Sequence, residues 1–279
     1  TTWLSKLLSA HPEIFVTPVK EMHYFDQVQG LSNKLSAYKR WSRFRKQTGR
    51  LLFGAESAEQ KRRELRWYMN YLRNPVDDEW YVRLLNDDSG YRIAGEFTPE
   101  YALIGKQGYS HIRKLAPDAK ILFVLRKPSE QAWSQYLHFR TPHGNNIDAG
   151  DAIRFWQTDY SVGLRDYAGT IRQLHDGFGS GNVHIVFYED LKRDTPECLA
   201  AIHKFLGVGP FELSADNVKR VYNQSPDVAI DRELVDYLGR ECRRITEAVA
   251  EIVGHVPPEW TELPPDPTHG ESPEKEQPH

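Results

Sequence analysis

The stretch that decides the fold is Ile121-Leu122-Phe123-Val124-Leu125-Arg126-Lys127-Pro128-Ser129-Glu130. Its first five residues form a continuous apolar run, which is typical of a strand covered on both faces of a parallel sheet. Pro128 then suits the first turn of a helix, where its missing N–H is not needed. Arg126 therefore stands at the tip of a strand beside a helix N-terminus, where a guanidinium can bind a phosphate. The hydroxyl of Ser134, farther along the helix, can add another contact.

Three further short runs predict strands, at Ile14 to Val16, Tyr91 to Ala94 and Val183 to Phe187. Segments of helical period separate the four runs, and strands that alternate with helices predict an α/β fold with a doubly wound parallel sheet. Ligands in such sheets bind beyond the carboxyl ends of the strands, so the residues that follow each strand are the candidates for function.

The 279 residues fit a single large domain over residues 1–256, with a helical insertion at about 31–87. Residues 257–279 are acidic and rich in proline, which predicts a disordered tail. The chain starts without Met and without a strand before its first helical stretch, so we expect a truncated N-terminus. No apolar run is long enough to span a bilayer.

Charge is uneven along the chain, whose formal net charge is −3. Residues 34–73 carry twelve Lys or Arg against three Asp or Glu. This basic segment is either a solvated pair of helices or a surface that attracts an acidic acceptor. Two cysteines, Cys198 and Cys242, are too few for a disulfide framework or a zinc site, and they favour a reduced compartment.

Arg126, Pro128, Ser134 and Tyr136 together resemble the 3′-phosphate-binding motif of the sulfotransferase family that uses 3′-phosphoadenosine 5′-phosphosulfate (PAPS). The resemblance implies a P-loop-like sheet and assigns Arg126 and Ser134 to the 3′-phosphate. Thr1-Thr2-Trp3 resembles the end of the family's 5′-phosphosulfate loop, which implies that Thr1 and Thr2 contact the 5′ group and that Trp3 stacks on adenine. Val183 to Leu191 resembles the family segment in which Tyr188 would touch the adenine edge.

The segment Pro18 to Asp26 resembles the Lys-Glu-x-x-x-Phe segment of heparan-type sulfotransferases. The resemblance implies that Glu21 is the general base and that Lys20 is an electrostatic helper. His23 is the rival base, because a histidine titrates near neutrality without assistance. Gly95 to Tyr101 resembles a segment that lines the acceptor cleft, but Phe97 stands where the family has a lysine.

These resemblances predict an enzyme that transfers a sulfuryl group from PAPS to a hydroxyl or amine of a small-molecule, glycan or lipid-like acceptor, releasing adenosine 3′,5′-bisphosphate without a metal. Two alternatives stay open, namely a P-loop ATP-dependent kinase and a non-catalytic protein that binds acidic glycans. We expect no nucleic-acid partner and a cytoplasmic location, and the sequence leaves the oligomeric state open.

Overall fold

A computed structural model describes residues 2–86, 90–140, 149–213 and 232–261. Its strands are β1 (Ile14–Val16), β2 (Ile93–Gly95), β3 (Ile121–Leu125) and β4 (Val183–Phe187). Its helices are α1 (Thr2–Ser9), α2 (Tyr24–Val28), α3 (Ala37–Phe53), α4 (Ala58–Tyr71), α5 (Asp78–Leu85), α6 (Gly105–Leu115), α7 (Pro128–Arg140), α8 (Ala149–Trp156), α9 (Asp159–Arg165), α10 (Tyr167–Phe178), α11 (Tyr188–Arg193), α12 (Thr195–Leu206) and α13 (Arg232–Val253). Short 3₁₀ turns occupy Pro99–Leu103, Ser180–Asn182 and Pro258–Trp260.

The first sheet consists of β1 and β2, which pair in parallel with Ile14 opposite Ile93 and Val16 opposite Gly95. The carboxyl ends of both strands lie at one edge because the strands run in the same direction. The segments that follow them, from Thr17 onward and from Glu96 onward, therefore start side by side.

The second sheet consists of β3 and β4. The bounds of β1, β3 and β4 agree with the runs in the sequence, and β2 lies two residues after the start of its predicted run. The α/β class is confirmed. The described strands form two two-stranded sheets, so a single doubly wound sheet stays a prediction.

Helices α3 to α5 occupy the region predicted as a helical insertion. The first of them begins six residues after the predicted start of the insertion, because Ser36 caps it by accepting a hydrogen bond from Lys39 N. Ser57 and Gln60 form a reciprocal capping box at the start of α4. Arg40 is buried inside this region, where it donates to the carbonyl oxygens of Leu35, Tyr71 and Arg73.

The chain divides into two compact units. The first comprises residues 1–124, 169–186 and 190–222, and its core is rich in aromatic side chains, among them Tyr24, Tyr68, Tyr71 and Trp80. The second comprises residues 125–168, 187–189 and 223–279, and its core centres on Trp156 with Ala132, Trp133 and Tyr136. Most of the predicted tail, residues 262–279, lies outside the described residues.

Cys198 and Cys242 are free thiols. Burial raises the pKa of both, to about 12 for Cys242, so neither forms a reactive thiolate near neutrality. None of the helices in the described part of the chain has the length and apolar character that crossing a membrane requires.

Candidate active site

The segments after β1 and β2 are joined by backbone hydrogen bonds. Thr17 N donates to Gly95 O at 3.2 Å, and Glu21 N donates to Phe97 O at 2.9 Å. The two segments that the sequence singled out after these strands therefore contact each other in the first unit. The pairing follows from the parallel register, which a sequence pattern alone does not specify.

Glu96 is the acceptor that holds this arrangement together. Its Oε1 accepts from Tyr101 OH at 2.6 Å and Tyr81 OH at 3.0 Å. Its Oε2 accepts from Thr98 Oγ1 at 2.7 Å and Met22 N at 3.1 Å. Burial raises the pKa of Glu96, although all four hydrogen bonds act in the opposite direction. Sequence reasoning missed this role, since Tyr81 lies on α5 and only the fold brings it to Glu96.

Glu21 and His23 both adopt left-handed backbone conformations, with φ of 60° and 56°. Residues other than glycine rarely take this conformation, and such strain is concentrated at functional sites. The hydrogen bond from Met22 N to Glu96, together with that from Glu21 N to Phe97 O, fixes the backbone here. Glu21 and His23, the two strained residues, are the two candidates for the general base that the sequence predicts.

Lys20 joins Glu21 to the start of α1. Its Nζ donates to Thr2 Oγ1 at 2.8 Å and to Glu21 Oε1 at 3.1 Å. The predicted electrostatic helper thus contacts both the predicted base and one predicted 5′-group residue. Both members of the Lys20–Glu21 pair are partly exposed, so solvent or a ligand can reach them.

His23 and Asp26 form a buried pair beside Glu21. His23 Nδ1 lies 2.8 Å from Asp26 Oδ2, and His23 Nε2 lies 3.9 Å from Glu21 Oε2. The His23 side chain is 3% exposed, whereas that of Glu21 is 37% exposed. Burial would raise the pKa of Asp26, but the hydrogen bond and charge of His23, together with weaker hydrogen bonds, outweigh burial and lower that pKa. Asp26 was not predicted as a site residue, although its position three residues after His23 indicates that the two side chains can meet on a helix.

Arg43 supports the same segment from α3. Its Nη1 donates to Glu21 O at 3.0 Å and to Tyr71 OH at 3.3 Å. At least one cation of the basic region is therefore a structural contact of the candidate site.

Glu21, His23 and Glu100 each offer one ligand atom, and these atoms all lie within 4.8 Å of one another. Among the described residues, these are the side chains whose atoms lie close enough together to hold a metal ion. Lys20 already supplies a positive charge to Glu21, at 3.1 Å.

A second cluster surrounds Arg126 in the second unit. The guanidinium donates to Glu130 Oε2 through Nε at 3.0 Å and Nη2 at 2.8 Å. Its Cζ lies 5.2 Å from the ring centroid of Tyr188. Arg126 and Tyr188, both predicted to bind the nucleotide, are thus in contact, and the guanidinium holds a carboxylate.

The backbone around Arg126 is fixed by buried groups. Tyr167 OH donates to Arg126 O at 3.1 Å, and Lys127 N donates to Glu189 Oε1 at 2.8 Å. Glu189 is buried and also accepts from Trp260 Nε1 at 2.9 Å. Glu189 therefore anchors the chain after β3.

The remaining predicted nucleotide-binding residues are Ser134, Trp3 and Thr1. Ser134 lies on α7 and is partly buried. Trp3 lies on α1 and is buried in the core of the first unit. Thr1 lies outside the described residues.

A family model described as "Sulfotransferase family" matches residues 1–212, about three quarters of the chain. The chain belongs to the sulfotransferase family. A crystal structure of a sulfotransferase from Alicyclobacillus acidocaldarius is similar to it, with a TM-score of 0.63 and 21% sequence identity over 94% of each chain. A search of the curated proteins finds no match.

Membership of this family makes the protein a transferase of sulfuryl groups, and its members generally use PAPS as the donor. The structural neighbour supports the α/β fold. Family membership favours the first of the three functions considered in the sequence over the kinase and the glycan-binding protein.

Proposed function

We propose that this sulfotransferase uses PAPS and transfers its sulfuryl group to a hydroxyl or amine, with Glu21 as the general base. The observation that carries the proposal is the position of the Glu21 carboxylate between the Lys20–Thr2 pair and the buried His23–Asp26 pair. PAPS, when bound, supplies an electrophilic sulfuryl group and is released as adenosine 3′,5′-bisphosphate.

The difference in exposure supports Glu21 rather than His23 as the group that meets the acceptor. An acceptor can reach the partly exposed Glu21 carboxylate, whereas the His23 ring is almost fully buried. Glu21 takes the proton of the acceptor as the new bond to sulfur forms, and a base in this role contributes about 10²- to 10⁴-fold to the rate.

The buried His23–Asp26 pair lies beside the proposed base, Glu21. With Nδ1 bound to Asp26, the other ring nitrogen of His23 faces Glu21 at 3.9 Å. A carboxylate on one nitrogen fixes which tautomer a histidine adopts and the direction of its ring. At 3.9 Å the ring is beyond hydrogen-bond distance of Glu21, so the buried pair would act on the carboxylate through electrostatics.

The residues proposed to bind the donor suit an anion. Lys20 and the hydroxyl of Thr2, at the start of α1, offer a cation and a hydroxyl group to the 5′-phosphosulfate. Arg126 already holds a carboxylate through two of its N–H groups, which supports its proposed role as receptor of the 3′-phosphate. The Tyr188 ring beside it is the proposed contact of adenine.

The acceptor is proposed to be a small molecule, a glycan or a lipid-like compound. Phe97, in place of the family's lysine, makes this edge less basic than in the heparan-type branch. Its backbone is tied to Glu21, since Phe97 O accepts from Glu21 N at 2.9 Å. The segment beside Glu21 therefore has an aromatic residue where the family has a cation, which favours a less acidic acceptor.

The test is calorimetric titration of the wild type and Arg126→Ala with adenosine 3′,5′-bisphosphate and with adenosine 5′-phosphate. We expect the wild type to prefer the bisphosphate and Arg126→Ala to lose that preference. The bisphosphate affinity should fall by roughly 10- to 100-fold, the size of a charge-assisted hydrogen bond. Arg154→Ala, which removes an exposed arginine paired to Asp151 on α8, is the matched control. Equal weakening of both nucleotides by Arg126→Ala would show that Arg126 does not read the 3′-phosphate.

A further inference from the structure

The outer face of α3 carries large apolar side chains in solvent. Tyr38 is 81% exposed, Trp41 54%, Leu52 69% and Phe53 87%. On a helix, positions 38, 41 and 52 lie within one stripe, and Phe53 lies beside it. Tyr38 and Trp41 form one exposed apolar pair near the start of the helix, and Leu52 and Phe53 form a second at its end. Large apolar side chains grouped in solvent mark an interaction site more often than a solvated face.

The outer side of α3 also carries cations. The seventeen residues of α3 include six Lys or Arg and no Asp or Glu, although Arg40 is buried and Arg43 and Arg50 are engaged within the protein. Arg45 and Lys46 are exposed and lie between Trp41 and Leu52 along the helix. The opposite face of α3 is used inside the first unit, where Arg40 and Leu51 are buried and the Phe44 ring lies 5.2 Å from that of Tyr68. The apolar and basic groups of the outer face therefore point away from the packing that α3 needs in order to fold.

We propose that the outer face of α3 docks on an anionic lipid surface. Trp and Tyr side chains favour the boundary between headgroups and acyl chains, and Leu and Phe gain by entering it. Arg45 and Lys46 complement anionic headgroups, and each basic residue near such a surface strengthens binding about fivefold. A soluble polyanion would engage the cations but would leave Leu52 and Phe53 in water. A second copy of the chain would bring the same cations against each other.

This docking is peripheral, since it uses one face of a helix whose other face is buried in the protein. Helix α3 also reaches the candidate active site, because Arg43 donates to Glu21 O at 3.0 Å. A lipid-borne acceptor would thus be held by the same helix that supports the proposed base. The docking itself does not depend on sulfuryl transfer, so vesicle binding can fail while the proposed function stands.

The experiment is flotation of the chain with phosphatidylcholine vesicles and with vesicles that also contain phosphatidylglycerol. We expect the wild type to float with the anionic vesicles and to stay in solution with the neutral ones. Trp41→Ser combined with Phe53→Ser should weaken binding roughly tenfold or more. Arg45→Gln combined with Lys46→Gln should weaken it roughly 25-fold, by the fivefold contribution of each cation. Tyr160→Ser combined with Val162→Ser removes two exposed apolar side chains from α9 and is the matched control.

Far-UV circular dichroism and thermal melting establish that each variant is folded, as expected for exposed positions. The proposal is overturned if the folded wild type does not float with anionic vesicles, or if both α3 variants float as the wild type does. It is also overturned if the chain binds a soluble sulfated polysaccharide but no vesicle. A dimer in gel filtration that Trp41→Ser with Phe53→Ser dissociates would overturn it as well, in favour of a second copy of the chain.

Discussion

The two clusters of candidate functional residues are held in different ways. The Lys20 to His23 segment is fixed by the hydrogen bond from Met22 N to the buried Glu96, by Arg43 and by the buried His23–Asp26 pair. The Arg126 guanidinium, in contrast, is held by the carboxylate of Glu130 and the ring of Tyr188 at a partly exposed position.

This difference indicates two physical requirements. A general base must meet its acceptor in one geometry, so its segment is fixed before any ligand arrives. A receptor for a phosphate must release whatever it holds, and an exposed ion pair contributes little to stability, about 0–1 kcal/mol. With the proposed roles, we expect the Lys20 to His23 segment to stay in place and the Arg126 guanidinium to exchange its partner.

The largest effect should come from Glu21→Gln, which removes the proposed base and leaves the backbone unchanged. Turnover with saturating donor should fall by about 10²- to 10⁴-fold, since an amide cannot accept the proton of the acceptor. Steady-state rates of product formation, compared with those of His23→Ala, measure the effect.

The alternative assignment makes the opposite prediction for the same two variants. If Glu21→Gln retains nearly normal turnover and His23→Ala is inactive, the base is His23. The rigid segment would then serve to present an imidazole.

The next largest effect concerns the protein's stability, which depends on the hydrogen bonds of Glu96 beside the Lys20 to His23 segment. Glu96→Leu leaves three hydroxyl donors and one backbone N–H without their acceptor, and we expect the free energy of unfolding to fall by about 3 kcal/mol. Denaturant titration measures it. Glu79→Gln on α5, which removes an exposed pair with Arg83, should change it by less than about 0.5 kcal/mol.

A pH series on Glu96→Gln tests the same carboxyl group. Because burial raises the pKa of Glu96, the folded state binds more protons than the unfolded chain between the ordinary glutamate pKa and the raised one. Wild-type stability therefore falls as pH rises through that window, and the advantage of the wild type over Glu96→Gln shrinks. An advantage that grows with pH would contradict the assignment, and so would a Glu96→Leu variant as stable as the wild type.

The smallest effect concerns the cluster of Arg126, Glu130 and Tyr188. Glu130→Gln removes the charge that competes for Arg126, so adenosine 3′,5′-bisphosphate should bind about two- to fivefold more tightly, the size of an exposed ion pair. Calorimetric titration measures the affinity, and Asp151→Asn, which breaks a comparable pair on α8, should leave it unchanged.

Weaker binding of the bisphosphate to Glu130→Gln would remove the contrast between the regions. Glu130 would then be part of the fixed structure around Arg126 and would not be a partner that the phosphate displaces.

Much of the fold could be predicted from short apolar runs. The strand from Ile121 to Leu125 has no polar residue, so its bounds are evident in the sequence. The ends of α3 were not predictable from periodicity, because the Ser36 cap sets the start and Leu51 to Phe53 extend the end. The pairing of strands into sheets depends on contacts between distant residues, which an apolar pattern does not encode.

The candidate site was predictable where function follows a strand directly. Arg126 was identified from its place at the tip of a strand, whereas Lys20 and Glu21, in a segment that also follows a strand, were assigned by the resemblance to the family. Tyr81 and Arg43 were not, because they reach the site from α5 and α3, and only tertiary packing brings those helices to the strand edge. The partner of Arg126 was also missed, although Glu130 lies one helical turn away, a spacing that permits an ion pair.

The left-handed backbone at Glu21 and His23 has a practical consequence for studies of acceptor binding. Glycine adopts this conformation without penalty, so Glu21→Gly removes the carboxylate and relieves about 1 kcal/mol of backbone strain. A β-branched residue at position 21 would clash sterically in the left-handed backbone conformation and would destabilise it. A glycine variant of the proposed base is therefore the form to use for trapping an acceptor complex, because we expect it to stop turnover while favouring the native path of the chain.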